Sequence, residues 1–128
     1  MEFPDGLKYT ESHEWAKLED GKVRCGITEF AADELGDIVF LDLPDVGTET
    51  QQDQPIGEIE SVKAVADIKS PVSGKVVEVN QALMDAPDLV GEDPYEAAWM
   101  LVIEPSDPSE LDSLMDAEQY ARHCEGEA

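Results

Sequence analysis

The stretch Glu60-Ser61-Val62-Lys63-Ala64 decides how the rest of the chain is read. Pro55-Ile56-Gly57-Glu58-Ile59 before it and Val65-Ala66-Asp67-Ile68-Lys69 after it have the makings of short strands, and Ser70-Pro71 closes the second. Two strands joined in this way predict a hairpin with Lys63 at or near its tip. Ser61, Ala64 and Ala66 beside it are small, so another protein can approach closely. A primary amine on an exposed turn with small neighbours is the setting of a lysine that carries a covalent group. It is equally the setting of an ordinary solvated turn lysine, and local features leave both readings open.

Working outward, turn and cap signals divide the chain into short elements. Leu7–Thr10 and His13–Leu18 read as strands. Glu19-Asp20-Gly21-Lys22 is a turn with the Asp-Gly centre that hairpins prefer, and Val23–Ile27 pairs back. Thr28 is placed to N-cap a helix from Glu29 to Leu35 with Phe30, Ala31 and Leu35 on one face, and Gly36 to end it in the left-handed position. Asp37–Leu43 is an apolar strand stopped by Pro44, and Asp45-Val46-Gly47 a turn. Gly74-Lys75-Val76 echoes Gly21-Lys22-Val23, and Trp99–Pro105 echoes Ile38–Pro44, a weak internal repeat that suggests two interlocked strand sets. Residues 80–94, with Pro87, Gly91 and Pro94, read as an extended loop holding one helical turn at Gln81-Ala82-Leu83. Further on, Asp107 with Pro108 and Glu110 forms a capping box that opens a helix with a Leu111, Leu114, Met115 stripe. Asp116 with Gln119 forms a second box, opening a helix to about His123, and residues 125–128 fray. Many short strands with regular turn signals predict a mostly β sandwich or small barrel with a short internal helix and C-terminal helices.

The chain has 128 residues, of which 31 are Asp or Glu and 8 are Lys or Arg, for a net charge of −23. One domain spans residues 1–128 on this reading, with a core over about 7–104 and a helical extension over about 107–123. The acidity argues against nucleic-acid partners, which demand basic surface, and against anionic membranes. No apolar run reaches the ~18 residues of a membrane span, and no basic patch followed by an apolar core marks a secretory signal, so the expected location is the cytoplasm. Self-repulsion on this scale points to a salt-adapted host. Cys25 reads as a small core residue and Cys124 as a free thiol in a polar tail. The spacing of these cysteines with His13 and His123 matches no zinc motif, so no metal is expected.

Enzyme chemistry finds no foothold in the pattern. There is no GxSxG elbow and no phosphate loop, His13 reads as a surface or half-buried strand residue, and the acids are too numerous for any pair to stand out. A non-catalytic carrier is favoured over an enzyme.

The segment Gly57–Ile68, continuing Ser70–Asn80, closely resembles the glycine cleavage H-protein family. So do Tyr9-Thr10-Glu11-Ser12-His13-Glu14-Trp15, Gly26–Ala31, Leu35–Phe40 and Trp99–Ile103, in the same order. The resemblance implies the flattened barrel-sandwich hybrid of lipoyl and biotinyl domains, with lipoic acid amide-linked to Lys63, the lysine of the ESVKA segment. It implies three enzyme partners visited in turn. A glycine decarboxylase (P protein) loads an aminomethyl group onto the arm, an aminomethyltransferase (T protein) removes it, and dihydrolipoamide dehydrogenase (L protein) reoxidises the dithiol. A lipoate ligase or lipoyl/octanoyl transferase attaches the group. The resemblance further implies a cleft for the loaded arm formed by Ser12, Glu14, Ile27, Ala31, Leu35, Ala64 and Asp67. There Glu14 and Asp67 either bind the cationic nitrogen through charge-assisted hydrogen bonds or are two more solvated acids, and both readings stay open, while Ile27 and Leu35 cover the hydrocarbon. Gly91 and Ala97-Ala98 depart from the family pattern, which has asparagine and glycine there, and both lie away from the hairpin.

Related carriers fit less well. A biotin carrier has methionines on both sides of its lysine, where this chain has Val62 and Ala64. A lipoyl domain of a 2-oxoacid dehydrogenase is shorter and lacks the C-terminal helices. An H-like protein relaying lipoyl or octanoyl groups to other complexes shares the hairpin and is the alternative. A non-lipoylated interaction module, with Lys63 bare, is a third reading.

Overall fold

Residues Asp20 and Gly21 both take positive φ (52° and 79°), the backbone that a two-residue hairpin turn demands, and Glu19 and Lys22 pair across it. The hairpin they close belongs to a computed structural model that describes residues 1–127. Its strands are β1 (Lys8–Tyr9), β2 (Glu14–Glu19), β3 (Lys22–Ile27), β4 (Ile38–Asp42), β5 (Glu49–Thr50), β6 (Pro55–Ser61), β7 (Val65–Lys69), β8 (Gly74–Val79) and β9 (Leu101–Pro105). Helices α1 (Glu29–Leu35), α2 (Gln81–Asp85), α3 (Leu89–Glu92) and α4 (Ala117–Glu127) lie between and after them, with a 3-10 helix over Pro108–Ser113.

The strands form two antiparallel sheets, one six-stranded in the order β1-β2-β3-β9-β8-β5 and one three-stranded in the order β4-β6-β7. This is the mostly β barrel-sandwich architecture expected, as two separate ladders rather than one closed barrel. The echoed segments meet in it: Val23 of β3 and Val76 of β8 both pair with Ile103 of β9, one on each side. All three side chains are fully buried in one core with Ile59, Ile68, Leu83 and Leu101. A second cluster, Leu7, Tyr9, Trp15, Tyr120 and Cys124, packs α4 against β1 and β2, with Tyr9 and Tyr120 stacked at 4.6 Å.

Several local expectations hold to the residue. The Thr28 hydroxyl accepts from Ala31 N at the start of α1. Asp116 and Gln119 cap each other reciprocally, each side chain accepting from the other's backbone N–H. Gly36 has positive φ but ψ of −137°, so α1 ends outside the left-handed helical well.

Other elements differ from expectation. Residues 80–94 hold two short helices, α2 and α3, instead of a loop with one turn. Asn80 caps α2 through Leu83 N and donates to the carbonyls of Ala97 and Trp99, while Leu83 and Val90 anchor the segment in the core. Glu110 does not reach back to its own helix. Its carboxylate accepts from Ser73 N and Ser73 Oγ, and the segment winds as a 3-10 turn that stops at Ser113. Leu114 packs on the main core while Met115 pairs with Tyr9 as a bridge, so the expected helical stripe is split. Helix α4 runs on to Glu127; Ala128 lies outside the described residues. Cys124 is the free thiol expected, but it is buried against the aromatic cluster instead of lying in a polar tail, and Cys25 is the core residue expected.

Candidate functional site: a lysine-tipped hairpin beside an acid-lined cleft

Strands β6 and β7 pair up to Glu60 and Val65, and the chain turns through Ser61-Val62-Lys63-Ala64. Ser61 shapes this turn. Its N–H donates to Ala64 O at 2.8 Å, and its Oγ accepts from Lys63 N and Ala64 N at 3.3 and 3.0 Å. Val62 N donates to Asp37 O, which ties the tip to the segment after α1. The Lys63 stem passes over Gly36, its Cε 3.6 Å from where a Cβ at that position would stand. Lys63 is exposed, and among the described residues it makes no ion pair despite the excess of acids. Its amine is therefore available to chemistry from outside. Lys69 and Lys75 differ in setting: both lie within ladders, at the end of β7 and in β8.

Beside the hairpin opens a cleft of about 300 Å³. Ser12, Glu14, Ile27, Ala31, Leu35, Ala64 and Asp67 all line it, so the structure brings together the whole set named from the sequence. Four more residues join them: His13, Glu34, Ile59 and Ala66. Three had legible signals. Glu34 lies one helical turn beyond Ala31 on α1, and Ala66 follows Ala64 on the same strand face, with Ile59 paired opposite it. His13 had none, because its φ of 73° sets it outside the regular course of β2.

The two cleft acids are unlike. Asp67 is exposed on β7. Glu14 is 2% exposed, and its Oε1 accepts from the Thr10 and Ser12 hydroxyls at 2.6 and 2.5 Å while Oε2 accepts from Lys69 N at 3.2 Å. Burial raises its pKa above the ordinary 4.5, and the hydroxyl and amide donors only partly oppose that. Most of its acceptor capacity is already engaged, which leaves Oε2 as the oxygen with room for another donor.

A stability test follows from this burial. A carboxyl whose pKa is raised in the folded state binds its proton more tightly folded than unfolded. Glu14 therefore adds stability below 4.5, and that contribution is lost as pH rises through its folded value. Urea melts of the wild type and Glu14→Gln, compared from neutral pH downward, are expected to show the wild type gaining on the variant as pH falls through this window. A stability difference that is constant with pH would contradict the assignment.

The family model described as Glycine cleavage H-protein matches residues 7–127. The glycine cleavage system H protein of Oceanobacillus iheyensis is 58% identical over 120 residues, covering 94% of this chain and 95% of the relative. That of Bacillus subtilis is 56% identical over 120 residues, covering 94% of both. The crystal structure of a glycine cleavage system H protein from Mycobacterium marinum superposes with a TM-score of 0.87 at 40% identity, over 94% of this chain and 97% of that one. With the match spanning hairpin, cleft and C-terminal helix, the chain belongs to the glycine cleavage H-protein family.

Proposed function

We propose that this chain is the lipoyl carrier of the glycine cleavage system, with the lipoyl group amide-linked to Lys63. The observation that carries the reading is the exposed amine of Lys63, which forms no ion pair among the described residues, at a hydrogen-bonded turn directly beside a cleft of apolar walls and carboxylates. The residues fit such a group. The small side chains of Ser61 and Ala64 leave the amine open to an attaching ligase or transferase. Ile27, Leu35 and Ile59 offer hydrocarbon cover to a chain folded back from the tip. A lipoyl group supplies the redox and group-carrying dithiolane chemistry when bound, and the protein supplies position and shelter. Asp67, with the remaining capacity of Glu14 Oε2, is placed to hold a cationic nitrogen at the end of the arm.

As a carrier the chain itself performs no catalysis. It presents the arm in turn to the glycine decarboxylase, the aminomethyltransferase and dihydrolipoamide dehydrogenase. We place it in the cytoplasm; no described helix is long and apolar enough to cross a membrane. The relay role has no observation in its favour among the relatives, which are named for glycine cleavage. The deciding assay is glycine–bicarbonate exchange by a glycine decarboxylase with the lipoylated chain added. Exchange that rises with the amount of carrier is expected; no exchange above that of the decarboxylase alone would refute the role.

The acidic surface belongs to the same reading, through a salt-adapted host. With 31 acids against 8 bases, most neighbouring charges are alike. The Debye length is ~30 Å at ~0.01 M salt, about the span of a small domain, and ~3 Å at ~1 M. Like charges ~4 Å apart in water repel by ~1 kcal/mol, and unfolding lets them separate. The thermal midpoint in potassium chloride is expected to climb from millimolar to molar salt. A flat or falling midpoint would contradict the salt-adaptation reading.

A further inference from the structure

His13 and His123 lie near opposite ends of the chain, and no spacing in the sequence links them as ligands. Folding stacks α4 against the segment before β2 and sets the two rings 5.6 Å apart. Glu127, one turn beyond His123 on α4, reaches both: its Oε2 is 3.1 Å from His13 Nε2 and 2.8 Å from His123 Nε2. One ligand atom from each residue falls within 4.8 Å of the others. We propose that His13, His123 and Glu127 form a binding site for one divalent transition-metal ion, Zn²⁺ in the first place, that fastens α4 to the segment before β2. The proposal does not rest on the carrier role, although His13 also lines the cleft beside the hairpin.

The donor set selects the ion. Two imidazoles and a carboxylate suit zinc and its neighbours, whereas magnesium and calcium call for oxygen alone. Donors each ~2.1 Å from a tetrahedral zinc stand roughly 3.4 Å apart, so the observed separations admit an ion after small side-chain adjustments. The site is also oriented from behind. Ligation through Nε2 leaves the proton of His13 on Nδ1, where Tyr120 Oη stands 2.7 Å away to accept it. Tyr120 is fully buried and held in turn by Thr28 Oγ1 at 2.7 Å. A ring locked by such an outer partner is the usual support of a metal-bound histidine. The positive φ of His13, which non-glycine residues rarely adopt, is what aims its ring at α4.

The surroundings favour a cation. The His13 side chain is 12% exposed while those of His123 and Glu127 are 28% and 42% exposed, so an ion can enter from solvent and keep water at its fourth position. The Glu11 carbonyl oxygen stands 3.0 Å from His123 Nε2 as its hydrogen-bond acceptor, a bond given up when Nε2 ligates an ion. The net charge of −23 concentrates cations near the surface. Without an ion, Glu127 still lies within hydrogen-bond distance of both imidazoles, so α4 stays docked and the metal tightens an interface that already exists.

The test is titration of the full-length chain with zinc chloride in a non-chelating buffer, with any arm on Lys63 absent or in its disulfide form. Saturable 1:1 binding is expected, with the thermal midpoint raised by roughly 10 °C at about a hundredfold excess over Kd, and no comparable effect of magnesium. His123→Ala and Glu127→Gln are each expected to weaken binding at least about tenfold, as even lost outer-shell partners do. Glu127 is exposed and His123 half-buried, so circular dichroism and the metal-free midpoint of each variant check that α4 stays docked, and Glu127→Gln carries the test if His123→Ala does not fold. Cys124→Ser is expected to leave the affinity unchanged, which separates this trio from the nearby thiol. Co²⁺ in place of zinc is expected to give the visible absorption of a tetrahedral site. Binding that survives both α4 variants unchanged, or that fails to saturate, would mean diffuse association with the acidic surface and would overturn the proposal.

Discussion

Lys63→Arg is expected to abolish lipoyl attachment and glycine-cleavage support while leaving the fold intact, the largest functional effect expected of any single substitution. The guanidinium keeps the positive charge, but it stays protonated and offers no nucleophilic amine for amide formation. The turn does not depend on the lysine side chain. It is held by the Ser61 hydroxyl and the bond from Val62 N to Asp37 O, which the variant retains. Surface changes of this kind shift stability by no more than about 0.5 kcal/mol. In vitro lipoylation with the attaching enzyme, followed by thermal melts and the exchange assay, separates the outcomes. The expected result is no label, no exchange and an unchanged midpoint. Exchange activity remaining in the variant, or a label moved to Lys69 or Lys75, would defeat the assignment of Lys63.

The largest stability effect is expected at Gly74, where β8 meets β9. A Cβ there would stand 2.1 Å from Glu104 O and 2.9 Å from Glu104 C, both backbone atoms of the neighbouring strand. Backbone within a ladder cannot rotate aside, so an added methyl must spread β8 from β9. That disturbs the pairing of Val76 with Ile103 at the centre of the core. Gly74→Ala is expected to cost about 3 kcal/mol, the upper end of overpacking penalties. For a chain of this size that lowers the thermal midpoint by roughly 10 °C. Gly91 provides the contrast: it lies in α3 with ordinary φ and nothing within 4 Å of its would-be Cβ. Gly91→Ala is expected to be neutral or stabilising by up to ~1 kcal/mol, because alanine reduces the freedom of the unfolded chain. Melts of the two variants side by side check both signs, and equal midpoints for them would contradict the packing described.

The comparison of Gly74 with Gly91 also shows why some of the fold was legible in the sequence and some was not. Features fixed by neighbours a few residues away were readable. Asp20-Gly21 makes its own turn, Thr28 caps α1 through Ala31, and Asp116 and Gln119 cap each other, so each could be placed from its local pattern. Features decided by distant partners were not. Glu110 has the position of a capping-box residue, yet Ser73 offers it an amide and a hydroxyl together and takes it away from its own helix. Asn80 reads as a loop residue until the carbonyls of Ala97 and Trp99 are set beside it, and α2 then has a fixed start. Cys124 lies in a polar stretch, and only the docking of α4 shows that it faces Tyr9 and Trp15.

The site divides in the same way. The hairpin could be read from two strand patterns and a turn, and it formed where expected. The cleft could not be derived from composition or period, since its walls come from the Ser12–Glu14 segment, β3, α1 and the carrier hairpin, and no local pattern joins them. Those residues were named through the family resemblance, and folding gathers them around one space. Even then the resemblance did not distinguish Glu14 from Asp67. Burial raises the pKa of the first, whose oxygens are largely engaged by donors, while the second is open to solvent.

The central claim is that Lys63 carries a lipoyl group, and peptide mass spectrometry of the protein isolated from its own cells tests it most directly. The cells are grown on glycine so that the cleavage system is needed. The result expected is the mass of a lipoyl amide on the peptide containing Lys63, at high occupancy, with Lys69 and Lys75 unmodified. A bare Lys63 under those conditions, or the lipoyl mass on another lysine, would contradict the claim.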